Sequence, residues 1–213
     1  MRRSGVLLPL TSLPGPEPVG CLDRRALGTF LDMLVAGGFQ TWQILPVPAE
    51  SRGDCPYAGN SAFAIDPLLM SIDDLAEDGF LDASRRRRAW ADVPRNHPED
   101  EVPWPAVHAW KRPILEEAAR AVDRRFVDAF LEVEHSWALD WALWWALMRT
   151  GSGLWKSWPG GLRDHDPEAL RALLAAHPDD VGIAVALQFL VQRQWDRMRA
   201  MMRARGLSLM GDL

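Results

Sequence analysis

Cysteine is scarce in this chain: Cys21 and Cys55 are the only two in 213 residues. Two thiols cannot build a disulfide framework, and neither belongs to a CxxC or Cys/His cluster of the kind that holds zinc. The five histidines are scattered, with no HxxxH or HExxH spacing, so a metal site lacks support. There is no excess of positive charge. The net charge of -5 argues against a general nucleic-acid surface, and the run Arg85-Arg86-Arg87-Arg88 reads as a solvated helix face or loop. Long apolar runs are missing too. Met1-Arg2-Arg3 precedes only Val6-Leu7-Leu8, which Pro9 ends, too short for a signal-peptide core, and nothing approaches a membrane span. The expected location is the cytoplasm, with neither nucleic acid nor membrane as partner. A composition of 48% hydrophobic and 25% charged residues is ordinary for a soluble globular protein, and the length allows one domain or one and a half.

Tyrosine occurs once, and its neighbourhood is the most specific part of the chain. Thr41-Trp42-Gln43-Ile44-Leu45-Pro46 reads as a short apolar strand. It runs into a Gly/Pro-rich loop holding Gly53-Asp54-Cys55-Pro56-Tyr57, Ser61-Ala62-Phe63-Ala64 and Pro67. An apolar strand followed by such a loop is how α/β enzymes build binding surfaces. Tryptophan, by contrast, is abundant at 11 residues. Trp137, Trp141, Trp144 and Trp145 share one helix face by spacing. A sugar-stacking platform is one reading. Leu139, Leu143 and Leu147 interleave with them and favour a buried stripe.

Ser4 to Leu8 reads as a first strand, followed by the loop Thr11-Ser12-Leu13-Pro14-Gly15-Pro16. Asp23 is positioned to cap a helix running to about Val35, with Gly37-Gly38 as its stop. Phe39 to Leu45 is a second strand. This β-loop-α-β order opens a parallel α/β fold. Beyond Pro67 the pattern turns helical, with a charged, Pro-rich stretch from Arg85 to Pro105 that reads as loop. A long helical pattern covers Pro113 to Arg149, then come a loop from Gly151 to Pro167 and a short helix to Ala176. His177-Pro178-Asp179-Asp180 opens a last helix, since Pro and acidic residues suit a first turn. Leu207 to Met210 is a third strand. Three strands with a long helical insertion leave unpaired edges and an uncovered face, so the chain is expected to be a fragment or to be completed by something else.

Arg3-Ser4-Gly5-Val6-Leu7-Leu8-Pro9-Leu10-Thr11-Ser12-Leu13-Pro14-Gly15 resembles the opening of the 4-alpha-glucanotransferases, the amylomaltases or disproportionating enzymes. Trp42-Gln43-Ile44-Leu45-Pro46 is similar to their second-strand motif, and the Asp54 to Pro67 segment to the loop after it. Ala109-Trp110-Lys111, Phe189 to Trp195 and Gly206 to Leu213 match later landmarks in collinear order. The resemblance implies an α/β fold: the first three strands of a (β/α)8 TIM barrel with a large helical insertion, the barrel incomplete. Residues 1–66 would be the first two βα units, 67–177 the helical insertion, and 178–213 a barrel helix and the third strand. It implies transfer of α-1,4-glucan segments between malto-oligosaccharides by a retaining double displacement, without cofactor. Whole barrels of this kind need about 250 residues, and the family's catalytic carboxylates lie on later strands. No catalytic residue is therefore assigned here, and the missing C-terminal part of the barrel becomes a partner.

What the resemblance carries over is substrate contact. Tyr57 matches a family tyrosine on the acceptor side of the cleft, where a ring offers a sugar face an apolar surface. Asp212 matches the acidic residue of a Gly-Asp motif after the third strand, placed to bond a sugar hydroxyl or orient a neighbour. Cys55 stands where the family usually has Ser, and a thiol is the weaker hydrogen-bond partner. Ser12 either holds its loop or touches sugar. The usual Gln after the tyrosine is Ala58. Arg52 and His108 replace two tyrosines of an outer glucan site found in some members. Two other readings stand beside this one: a non-catalytic glucan-binding or docking module, and a truncated product without function.

Overall fold

The computed structural model describes residues 3–49, 55–95, 101–151 and 153–212. They divide into two compact units, 1–121 with 190–213, and 122–189.

The first unit contains a parallel sheet of three short strands, β1 (Gly5–Leu7), β2 (Thr41–Gln43) and β3 (Ser208–Met210), in the order β1-β2-β3. Val6 pairs with Trp42, and Trp42 with Leu209. Trp42, in the middle of the middle strand, is completely buried, with the ring of Phe30 edge-on at 4.9 Å. Its indole N–H donates to the Leu8 carbonyl at 2.9 Å, tying β2 to the chain leaving β1. On the opposite face Leu7 and Met210 remain more than half exposed.

Helix α1 (Arg24–Ala36) crosses between β1 and β2. The Asp23 carboxylate accepts from the backbone N–H groups of Arg25 and Ala26, as an N-cap should, and Leu27, Phe30, Leu31 and Leu34 form its buried stripe. Gly38 at φ 74° turns the chain back toward β2. After a 3-10 turn, α2 (Ile72–Glu77) is capped by Ser71, and α3 (Ala83–Ala91) by Asp82. Helix α3 corrects the reading of Arg85 to Pro105 as loop. With Ala89 as its one buried residue it has almost no apolar periodicity, and it is held by side-chain pairs: Arg86 with Asp73 at 2.7 Å and Arg85 with Glu117 at 2.5 Å. Helix α4 (Trp104–Arg120) follows.

A buried polar network ties these pieces together. Glu17, in the loop after β1, forms an ion pair with Lys111 of α4, both side chains at most 1% exposed. The other Glu17 oxygen accepts the Ile72 N–H at 2.9 Å. The free Asp23 oxygen accepts the Ser71 hydroxyl at 3.1 Å. Gln194 closes the circuit, its oxygen accepting the Ser71 N–H and its amide donating to the Ser71 carbonyl. Glu17 and Lys111 are thus paired with each other, and the Asp23 carboxylate is met by three hydrogen bonds, the condition for tolerating buried charge.

A second cluster sits where α1 and α2 meet α8 (Pro178–Ala204), whose residues from 190 onward belong to this unit. Asp74, 3% exposed, lies 2.8 Å from Arg197 and 4.0 Å from Arg24. Burial pushes its carboxyl up to about 6, although both arginines pull it down. An acid whose pKa rises on folding binds its proton more tightly in the folded state. Its contribution to stability is full below about pH 4 and is lost as pH rises through 6. Asp74→Asn, which fixes a neutral side chain, is expected to reduce the fall in urea-unfolding stability between pH 4 and 7 by about 2 kcal/mol. Equal pH slopes in parent and variant would refute this.

The second unit is helical: α5 (Arg124–Arg149), a one-turn α6 (Gly160–Arg163), α7 (Pro167–Ala176) and the start of α8. Helix α5 bends at Glu134, which has φ -107° and ψ 19°. Trp141 and Trp145 are buried with Ala138, Ala142 and Ala146, whereas Trp137 and Trp144 are partly exposed, so half of the tryptophan stripe is core. Arg149 stacks 4.6 Å over Trp145 and pairs with Asp180 at 3.2 Å. Phe126 stacks on Phe189 at 5.8 Å, with Phe130 set edge-on to Phe189.

Candidate functional site

All three parallel strands point the same way, so the chain leaves each of them on one side of the sheet. There the loops after β1, β2 and β3 converge. The loop after β2 is long and is pinched at its base. Ala49 N–H donates to the Ala64 carbonyl at 2.9 Å and Asp66 N–H to the Val47 carbonyl at 3.0 Å, an antiparallel bridge at Pro48 and Ile65. Farther out the Ser61 hydroxyl accepts from the N–H groups of Phe63 and Ala64, fixing the turn that presents Phe63. Gly59 is pressed against Pro48, where any Cβ would run into the ring. The loop after β1 is equally tight: Gly20 N–H donates to the Thr11 carbonyl at 2.8 Å, and a Cβ on Gly20 would collide with the backbone of Leu10 to Leu13.

Between the loop after β2, Trp195 of α8 and the residues that follow β3 lies a cleft of about 620 Å³. Tyr57 and Phe63 stand at its edge, 60% and 68% exposed, and Trp195 of α8 contributes a partly exposed indole. Leu45 to Pro48 form its wall, and Asp212 lies where the chain leaves β3. The Tyr57 hydroxyl donates to Asp212 Oδ2 at 2.6 Å. That bond first, then desolvation and the carboxylate's own charge, hold the phenol above its ordinary range. Two residues 155 positions apart, each singled out from its own motif, therefore form one polar pair on a cleft rich in aromatic surface. Such a surface suits a ligand with both apolar faces and hydroxyls.

The other two sequence candidates stand apart from this lining. Cys55 is an exposed free thiol two residues before Tyr57, its carbonyl accepting the Ala58 N–H. Ser12 ends the 3-10 turn Leu10–Ser12, exposed, with its N–H on the Pro9 carbonyl. The expectations attached to Met1, Arg2, Arg52, Gly53 and Asp54 fall outside the described residues. His108 is partly exposed on α4, its ring 6.4 Å from that of Trp104. Phe63 and Trp195 were inside recognised motifs without being singled out. Their signal was a large aromatic at a loop tip and another at the end of an apolar helix stretch.

The described lining of this cleft holds one carboxylate, Asp212. Retaining glycosyl transfer needs two carboxyl groups about 5 Å apart. Among the described residues, no group of three His, Cys, Asp or Glu side chains could hold a metal ion. No single helix there is long and apolar enough to cross a membrane.

Known proteins share this architecture. The family model described as 4-alpha-glucanotransferase matches residues 8–213. A 4-alpha-glucanotransferase of Thermus thermophilus is 36% identical over 220 residues, covering 100% of this chain and 42% of the relative. The chloroplastic/amyloplastic 4-alpha-glucanotransferase of Solanum tuberosum is 33% identical, with 38% of its length covered. Among solved structures, the amylomaltase of Streptococcus agalactiae in complex with acarbose superposes with a TM-score of 0.89 at 27% identity, over 100% of this chain and 43% of that one. The chain thus spans less than half the length of these relatives. With the match running through β1, the cleft loops and β3, the chain belongs to the 4-alpha-glucanotransferase family.

Proposed function

We propose that this chain is the amino-terminal part of a 4-alpha-glucanotransferase that moves α-1,4-glucan segments between malto-oligosaccharides in the cytoplasm by a retaining double displacement. In this reading β1 to β3 are the first three strands of a (β/α)8 barrel. Residues 67–177 are the insertion between its second and third strands, and the rest of the barrel brings the catalytic carboxylates. The observation that carries it is the Tyr57–Asp212 pair at the strand ends, beside the exposed ring of Phe63. The carboxyl side of such strands is the active-site face of barrel enzymes. Tyr57 offers its ring to a sugar face while Asp212 fixes its hydroxyl and faces the sugar's own hydroxyls. Cys55, two residues before Tyr57, and Ser12, in the loop after β1, would meet the glucan outside this contact. The chain's own share of the work is to bind and orient glucan.

Isothermal titration of the chain with maltotriose is expected to give saturable binding, weakened about tenfold by Tyr57→Ala, the loss of one aromatic contact and its hydrogen bond. Tyr57→Phe, which keeps the ring, should lose less. The chain by itself should release no more glucose from maltotriose than its Tyr57→Ala variant. Absence of binding, or release above that control, would each overturn the corresponding half of the reading.

A further inference from the structure

The second unit carries an aromatic turn with no part in the cleft described above. Between α5 and α6 the chain makes a 3-10 turn, Trp155–Ser157, and sets two large apolar residues side by side on its surface. Leu154 is 57% exposed and Trp155 55%. Tryptophan is ordinarily buried over most of its area. Apolar residues exposed next to one another, unlike scattered ones, point to a binding surface.

The turn is built to hold that indole out. Gly153, at φ 64°, leads into it with a backbone conformation that suits glycine. The hydroxyl and the N–H of Ser157 both donate to the Leu154 carbonyl, at 2.7 and 2.9 Å. The Trp158 N–H donates to the Trp155 carbonyl at 3.1 Å, and its indole N–H reaches back to the Gly153 carbonyl at 3.3 Å. Trp158 thus braces the turn, and Trp155 is the ring that the turn presents. The following segment is fixed as well. Helix α6 packs on the turn and on α7, where a Cβ on Gly161 would come within 2.9 Å of Ala169. His165, just beyond α6, ties the segment to α5 through Asp140 at 3.1 Å. A ligand on this ring would therefore order little of the protein around it.

The size of the patch selects among occupants. A specific protein interface takes about 20–30 residues a side, far more than one turn supplies. One indole matches the apolar face of one sugar ring. Lys156 follows Trp155 directly and is exposed, a hydrogen-bond donor next in the chain to the ring. A polymer of sugar rings presents the same face many times, and the glucan proposed above is such a polymer.

We propose that Trp155 forms a separate glucan site on the second unit, one that takes a glucosyl ring from within a long α-1,4-glucan and holds the chain on polymer independently of the Tyr57 cleft. The inference rests on the glucan reading above and adds to it a preference for polymer over short oligosaccharide. A long glucan offers rings to both sites, and each contact lengthens the time spent bound.

The test is affinity electrophoresis of the chain in native gels containing glycogen, with calorimetric titration by maltotriose beside it. Tyr57→Ala, which damages the first cleft, should still be retarded by glycogen. Adding Trp155→Ala to it is expected to lower the remaining glycogen affinity about fivefold, the worth of one aromatic stack. Trp155→Phe in its place should keep most of that affinity and Trp155→Leu should lose it, which decides the matter if the alanine variant does not fold. Where the parent binds maltotriose, a Tyr57→Ala variant that glycogen fails to retard overturns the site and leaves the glucan reading standing. So does a glycogen affinity that Trp155→Ala or Trp155→Leu leaves as it was. A parent that binds neither maltotriose nor glycogen sinks the glucan reading, and this site with it.

Discussion

Lys111→Met should destabilise the first unit by about 3–5 kcal/mol, because it strands the Glu17 carboxylate in the interior. Glu17 would keep only the Ile72 N–H, one hydrogen bond against the desolvation of a full charge. A domain of ordinary stability has about 5–15 kcal/mol in total, so the variant would stand near the edge of folding at room temperature. The double variant Glu17→Gln with Lys111→Met removes both charges and should recover a large part of the loss. The pair is therefore non-additive, as expected of groups in direct contact. Urea unfolding followed by circular dichroism measures this. A single variant within about 1 kcal/mol of the parent would mean that water reaches the pair. The expected outcome also explains a recognised motif. Ala109-Trp110-Lys111 is a landmark because its tryptophan and lysine both point into the interior, where each has one specific partner.

Trp42→Ala is expected to cost a similar amount, about 3–5 kcal/mol, through a cavity at the centre of the sheet. Two effects add. The indole fills the space against Phe30, and its N–H satisfies the Leu8 carbonyl. Trp42→Phe separates them: it keeps most of the volume and gives up the hydrogen bond, for about 1–2 kcal/mol. The functional consequence should exceed the thermodynamic one. Ile44 to Pro48 continue directly from β2 and form a wall of the Tyr57 cleft, so that wall is built on a strand that Trp42 ties to the chain leaving β1. Maltotriose affinity in Trp42→Phe should fall even though the protein stays folded by circular dichroism. An unchanged affinity would show that the loops hold their shape without that bond.

Much of the first unit could be read from local signals. The alternation of strand, capped helix, glycine stop and strand lies within 45 residues, and each boundary has a residue with a physical reason to be there. Asp23 was recognisable as an N-cap because capping is a local bond. Its second oxygen, on Ser71, was not, because nothing near Asp23 announces a partner 48 positions away. The same holds for Tyr57 and Asp212: motif resemblance pointed to each residue, while the hydrogen bond between them exists only in the fold. The arginine run left helix and loop both open, and the Pro-rich composition of Arg85 to Pro105 favoured loop, because four consecutive arginines hide any apolar period. The stability of helix α3 comes from an aspartate cap and ion pairs that periodicity does not register. The buried half of the tryptophan stripe of α5, Trp141 and Trp145, was legible as core because alanines and leucines share its turns. A stacking platform would have needed polar residues there.

The pairing of β2 with β3 sets the order in which this molecule can fold. β1 finds β2 across one short helix, whereas Thr41 to Gln43 must wait for Ser208 to Met210, with residues 44–207 between them. Loop-closure entropy grows only with the logarithm of loop length, so the long connection weighs little on equilibrium stability. It weighs on the rate. Non-local strand pairing is slow, and the edge of β2 stays unpaired until the intervening helices have gathered. During synthesis the amino-terminal β-α-β piece emerges first and waits with that edge open. Helices placed between β2 and β3 can therefore vary in length with little change in final stability, while every added residue lengthens the interval in which the unpaired edge can meet another chain.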